Sequence, residues 1–203
     1  MAEHYFTKRP SAEHKPHEFT EELRGRIYLF HTDAGVFSRD EIDLGSKLLI
    51  ESMPCEPGDT VLDLGCGYGP IGMVAATVVA PGGFVYLVDV NERAVELAQK
   101  NLNINGIKNA KALVSDGLEA VANHQFDLVV SNPPIRAGKE VFYSLLTDAY
   151  KALKPSGCLL VVIRTKQGAK SLENYLRELA GNCETVAKKA GFRVLKCCKQ
   201  LHA

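Results

Sequence analysis

The sequence predicts an α/β domain: a mainly parallel sheet of seven strands, helices on both faces and a C-terminal antiparallel hairpin. Three observations carry this. From Val61 onward short apolar runs alternate with helical periodicity, and strands separated by helices need crossover connections, hence parallel pairing. The first run ends in Asp63, and Gly65, Gly67 and Gly69 then fall at every second position before Pro70. That is a strand, a tight turn and a helix start. The last two runs, 183–188 and 193–199, are separated by Lys189-Ala190-Gly191, which suits a hairpin.

In chain order, residues 1–20 are rich in His, Lys, Glu and Pro and are expected to form a surface arm, leaving 21–203 as a single domain. Residues 25–32 read as a strand, and Asp33-Ala34-Gly35 as a turn. Ser38 followed by Glu41 has the form of a capping box, so a helix is expected from there to about Ser52. Strands follow near 61–64, 84–89, 111–115, 126–131 and 158–164, with helices near 70–80, 91–104, 139–153 and 169–180. Asn91 suits the N-cap of the second of these helices.

Composition narrows the function. With 203 residues, 46% hydrophobic and 24% charged, the chain can bury a full core. No apolar stretch approaches the roughly 20 residues of a membrane helix, and the mixed N-terminus has no secretory pattern. Six cysteines without a C-x-x-C pair read as reduced thiols in a cytoplasmic protein. No Cys/His cluster has metal spacing, so no metal is expected. Formal net charge is zero, yet residues 1–135 hold 11 basic and 19 acidic residues and residues 136–203 hold 13 and 5. A basic C-terminal third points to a polyanion, with RNA the natural candidate.

The glycine turn points to a particular ligand. A dinucleotide fingerprint needs a glycine where Pro70 stands. The pattern met, Asp63-x-Gly65-x-Gly67-x-Gly69, resembles motif I of the class I S-adenosylmethionine (SAM) methyltransferases, and so implies their Rossmann-like fold. The chemistry agrees, since an acid suits the ammonium of the methionine end and free N–H groups suit its carboxylate. Asp89 ends the next strand, 20 residues after Gly69, the spacing at which an open α/β sheet offers a carboxylate to a ribose. Asp116, before Gly117, ends the one after. In the resembled class an acid there accepts from the adenine amino group.

The fourth parallel run leads into Ser131-Asn132-Pro133-Pro134-Ile135-Arg136-Ala137-Gly138-Lys139. Successive prolines lack N–H groups and force the preceding residues out of helical geometry. Asn132 and Pro133 are thereby held extended, offering a side-chain oxygen and a backbone carbonyl. In the resembled class an Asn-Pro-Pro-aromatic turn at this place marks methylation of a planar amine, and the resemblance implies adenine N6, guanine N2 or a glutamine amide. A non-catalytic RNA-binding module on the same fold is the remaining alternative.

Taken with Gly35-Val36-Phe37-Ser38, Asp43-Leu44-Gly45-Ser46 and Thr165-Lys166-Gln167-Gly168-Ala169, the turn resembles the 16S rRNA guanine-N2 methyltransferases, in particular their single-domain members, over residues 4–200. The resemblance implies SAM as cofactor and rRNA, free or in a subunit particle, as partner. It implies a cofactor set of Asp63, Gly65, Cys66, Gly67, Asp89, Val90, Asp116, Gly117 and Asn132. Asn132 and Pro133 become the catalytic pair. Phe37, Pro134, Ile135, Arg136, Lys139 and Lys166 become substrate residues, with Ser38 and Arg164 nearby. Ile135 stands where the family pattern has an aromatic residue, so stacking on a flipped base must come from elsewhere, with Phe37 first and Tyr68 behind it.

Overall fold

In the computed structural model, which describes residues 12–133 and 138–200, an antiparallel ribbon comes first. It consists of β1 (His17–Leu23) and β2 (Arg26–Thr32). Helix α1 (Leu44–Ser52) leads into a regular alternation: β3 (Thr60–Leu64), α2 (Pro70–Val78), β4 (Phe84–Asp89), α3 (Glu92–Ile104), β5 (Ala110–Val114) and β6 (Phe126–Ser131). Then come α4 (Lys139–Lys151), β7 (Leu153–Arg164), α5 (Ala169–Ala180), β8 (Glu184–Lys189) and β9 (Phe192–Cys198). The sheet order is β5-β4-β3-β6-β7-β9-β8. Strands β3 to β7 pair in parallel, while β9 is antiparallel to β7 and to β8. The expected plan is met.

Both sheet faces are covered, which is why the central strands are apolar on both sides. One face packs against the ribbon, α1, α2 and α3, and takes Leu128, Val130, Leu160 and Val162. The other packs against α4 and α5, and takes Val129, Leu159, Val161 and Ile163. The alternation within β6 and β7 is the period of two that a pleated strand imposes.

Three expectations are corrected. The arm placed at 1–20 contains the start of β1. His17, Phe19 and Glu21 alternate with exposed residues, and the Phe19 ring stacks on Phe30 at 5.4 Å, so this polar stretch is one half of a ribbon. Helix α1 begins at Leu44, not at Ser38. Ser38 sits at φ 55° and its hydroxyl donates to the Glu41 carbonyl, whereas an N-cap needs extended backbone. Asp43 has that backbone and accepts from the N–H groups of Gly45 and Ser46. Third, Cys158 and Cys198, expected as free thiols, form a disulfide between β7 and β9, where they are register partners. Their separation of 40 residues hides the pairing from any local spacing rule.

The outer edge of β2 is closed in an unusual way. Asn105 accepts from the Leu29 N–H and donates to the Leu29 carbonyl, at 3.0 and 2.7 Å. Asn101, fully buried, does the same for His31 at 2.8 and 3.0 Å, and also donates to the Tyr68 carbonyl. Four residues of helix rise about 6 Å and two residues of strand about 6.8 Å, so two helical side-chain amides match two strand peptides.

Candidate active site

Every parallel strand ends at the same sheet edge, and the expected residues stand there in a row. The turn after β3 is tied to its neighbour: the N–H groups of Gly65 and Cys66 donate to the Val88 carbonyl at 2.9 and 3.0 Å. Gly67 N–H donates to Asp89 Oδ2 at 2.9 Å. Asp89 Oδ1 accepts from Asn91 N–H, while the Asn91 side chain caps α3, as expected, by accepting from Ala94 N–H. Ser131, on the other side, donates to the Leu64 carbonyl at 2.8 Å and so ties the tip of β6 to that of β3. Asn132 is thereby set beside the glycine turn.

The geometry fits a cationic, polar ligand on β3 to β5. Side chains added at Gly65 or Gly67 would meet nothing within 4 Å, so the turn fronts open space, and both glycines have positive φ. Asp63 is completely buried. Its Oδ2 accepts from Gly72 N–H at 2.8 Å and its Oδ1 has no partner among the described residues. Gly69, at φ 94°, gives α2 no side-chain cap, so the Asp63 carboxylate faces that helix start instead, where negative charge is favoured. Burial pushes the Asp63 carboxyl up to about 7, against the pull of the Gly72 hydrogen bond and with the help of Asp89. An orphaned buried acceptor is what an incoming ammonium would satisfy. Burial also raises Asp89. Cys66 is buried and its thiol is pushed well up by burial and by Asp89 and Asp63, so it offers contact, not a thiolate. Val90, Ser115, Asp116, Glu119 and Ala120 line an open cavity of about 570 Å³ beyond β4 and β5.

At β6 the structure gives Asp43 a role that the sequence did not assign. The Asn132 amide nitrogen donates to both carboxylate oxygens of Asp43, at 3.3 and 3.2 Å, and to Ser46 Oγ at 2.9 Å. A carboxylate only accepts, so the amide is oriented with its oxygen turned away from α1. No described residue donates to that oxygen. Asp43 thus caps α1 and fixes Asn132 with one carboxylate. The segment Asp43-Leu44-Gly45-Ser46 counted toward the family resemblance, but nothing in it assigned Asp43 this role. Pro133 is buried; Pro134, Ile135, Arg136 and Ala137 lie outside the described residues.

Phe37 is 52% exposed, and its loop is held over the start of α3, where Asn91 donates to the Gly35 carbonyl and Arg93 to the Ala34 carbonyl. Leu44, given no role from sequence, is 58% exposed directly after Asp43, off the stripe of α1 that buries Leu49 and Ile50. Tyr68, the reserve stacking residue, is instead buried edge-on to Phe30 and Phe19. Lys139, with its ammonium over the Tyr143 ring at 5.3 Å, lines a cleft of about 180 Å³ with Gln167 and Gly168. Lys166, in the short turn Thr165–Gln167 after β7, is exposed.

A seven-stranded sheet of this order, with this row of strand-tip residues, defines a Rossmann-like class I methyltransferase fold. The chain belongs to the methyltransferase small domain family, which it matches over residues 27–196. It is 42% identical to the uncharacterized protein YbxB of Bacillus subtilis over 97% of this chain and 98% of that one. It is 32% identical to ribosomal RNA large subunit methyltransferase G of Yersinia pestis, over 85% of this chain and 45% of that protein. Among solved structures it resembles the 16S rRNA N2 G1207 methyltransferase RsmC of T. thermophilus, in complex with AdoMet and guanosine. The TM-score is 0.82 at 32% identity, over 91% of this chain and 51% of that one. The chain therefore spans about half the length of these two rRNA methyltransferases.

Proposed function

We propose that this protein is a SAM-dependent N-methyltransferase acting on the exocyclic N2 amine of a guanine in small-subunit ribosomal RNA. The observation that carries the reading is the fixed orientation of Asn132, whose amide nitrogen is consumed by Asp43 and Ser46. Its oxygen is left to accept from a substrate amine.

SAM, when bound, supplies an electrophilic methyl group on a sulfonium. Asp63 would meet its ammonium, Gly65 and Gly67 would leave room for its methionyl end, Asp89 would accept from the ribose hydroxyls, and Asp116 and Gly117 would face the adenine, with Cys66 and Val90 as walls. On the other side, Asn132 Oδ1 and the Pro133 carbonyl accept the two hydrogens of an amine whose lone pair is delocalised into its ring. Holding those hydrogens favours a pyramidal nitrogen and aims the lone pair. The same acceptors, with the Asp43 carboxylate behind them, stabilise the positive charge that develops on nitrogen. Positioning at attack distance contributes much of the remainder. Phe37 and Leu44 offer apolar surface for a base that must be unpaired or flipped out to arrive there. Lys139 and Lys166 would contribute to the substrate side, as would Pro134, Ile135 and Arg136 on the family resemblance.

The likenesses to ribosomal RNA large subunit methyltransferase G and to RsmC support rRNA, and the RsmC likeness supports guanine over adenine or a glutamine amide. The test is incubation with labelled SAM and ribosomal RNA, free and in subunit particles, from cells lacking the protein, followed by digestion to nucleosides. N2-methylguanosine is expected; label in N6-methyladenosine, or in protein alone, would replace the reading.

A further inference from the structure

The sheet edge that holds the site is divided by charge. On one side of Asn132 the tips of β3, β4 and β5 carry Asp63, Asp89 and Asp116. On the other side, in the order β7-β9-β8, the same edge carries cations. Arg164 ends β7 and faces Phe192 in the register, and Lys188 and Lys189 end β8, where Lys188 pairs with Arg193 and Lys189 with Phe192. Thr165 N–H donates to the Gly191 carbonyl at 2.8 Å, which brings the hairpin turn against the Lys166 turn. Lys170 lies in the first turn of α5, just beyond.

These cations differ from those elsewhere on the same strands. At the opposite edge the lysines are engaged: Lys154 with Asp127 at 2.6 Å, Lys151 with Asp148, Lys196 with Glu184, and Lys199 with the carbonyls of Lys151 and Leu153. At the site edge Arg164, Lys166, Lys170, Lys188 and Lys189 are exposed. None has an ion-pair partner among the described residues. Glu173 on α5 is already engaged by Arg177 and Arg193. Charged residues on an edge strand can serve merely to block sheet extension. That role would not sort them by end, and β8 carries a paired acid at one end and unpaired lysines at the other.

The row also joins the catalytic turn through packed groups. The Arg164 guanidinium lies 4.6 Å over the Phe192 ring. That ring sits so close to Gly45 that a side chain there would come within 2.8 Å of it, and Gly45 donates to Asp43, the partner of Asn132. From β6 to β8 is three strand spacings, about 14 Å, a distance that a few nucleotides of an RNA strand cover.

We infer that the C-terminal hairpin is an RNA-binding surface: Arg164, Lys166, Lys170, Lys188 and Lys189 take the phosphates of the nucleotides flanking the modified base. The inference rests on the RNA-methylation reading and adds to it the path of the strand. A cationic donor belongs on the acidic half of the edge, a polyanion on the basic half, and the amine meets the methyl group at the boundary.

The test is the variant carrying Lys170→Gln, Lys188→Gln and Lys189→Gln, with a Lys108→Gln, Lys111→Gln, Lys151→Gln variant as control. Binding of a fluorescent single-stranded RNA and of free ribosomal RNA is measured against salt, with SAM affinity read by calorimetry. The hairpin variant is expected to lose about tenfold or more in RNA affinity at low salt, and its salt slope to fall by about 0.7 for each phosphate contact removed. SAM affinity and the control variant are expected to match the wild type. Unchanged RNA affinity and slope in the hairpin variant would overturn the inference, and would do so equally if the variant aggregated more readily or lost a protein partner. Salt-dependent RNA binding through the hairpin, in a protein that methylates no RNA, would keep the surface and remove the proposed activity.

Discussion

The amide nitrogen of Asn132 lies 3.2 Å from one carboxylate oxygen of Asp43 and 3.3 Å from the other. The two residues are 89 positions apart, so the tertiary fold alone joins the first turn of α1 to the tip of β6. The helix start and the acceptor amide are therefore one unit.

Separating the two duties of Asp43 is the sharpest check on that unit. Asp43→Ser keeps a good capping oxygen, so stability should change by no more than about 0.5 kcal/mol. A shorter neutral side chain no longer fixes the Asn132 amide, and turnover should fall at least about tenfold. Thermal melts and single-turnover methylation would be compared; equal activity would leave Asp43 as a helix cap alone.

Asn132→Ala removes the accepting oxygen itself. Methyl transfer should fall by about a hundredfold or more, as when one preorganised polar partner is lost, with SAM affinity retained in calorimetry. In a double variant with Asp43→Ser the losses should be far from additive, because both act through one amide.

The raised value of Asp63 makes a prediction in pH. Its folded value of about 7 lies above the ordinary 3.8. Between those values the native state holds a proton that the unfolded chain has released. The cofactor-free protein should therefore lose stability as pH rises across that window. Asp89, raised in the same direction, adds to the effect. Asp63→Asn should flatten the fall in melting temperature. It should also abolish a gain in SAM affinity between pH 6 and 8 that the wild type is expected to show as the carboxylate becomes available to an ammonium.

Gly72 sets how closely α2 approaches β4. A methyl group there would meet Leu87 Cγ at 2.5 Å and Asp63 Oδ2 at 3.0 Å. Gly72→Ala should cost about 1–3 kcal/mol through overpacking, a drop of several degrees in melting temperature. SAM binding should weaken as well, since Asp63 is displaced.

Much of this was legible in the chain itself. Asp63, Asp89, Asp116 and Asn132 each follow an apolar run, and a parallel sheet must bring such run-ends to one edge. The start of α1 was not legible. Ser38 and Glu41 match a local capping pattern, but Ser38 adopts a left-handed backbone that no pattern reveals. The Asp43–Asn132 contact and the Cys158–Cys198 bond are products of packing and register, not of spacing. β1 was hidden because its acids are half of a ribbon whose other half, Phe19 and Leu23, is sparse. The mixed composition read as a tail.

The paired amides of Asn101 and Asn105 have a consequence for how this molecule meets others. A free strand margin is an open invitation to a neighbouring polypeptide. Here a helix supplies the missing partner from its own side chains, so the outer margin of β2 is spoken for before any second molecule arrives. Replacing either asparagine by leucine would preserve helix and bulk, yet leave main-chain donors and acceptors bare and invite self-association.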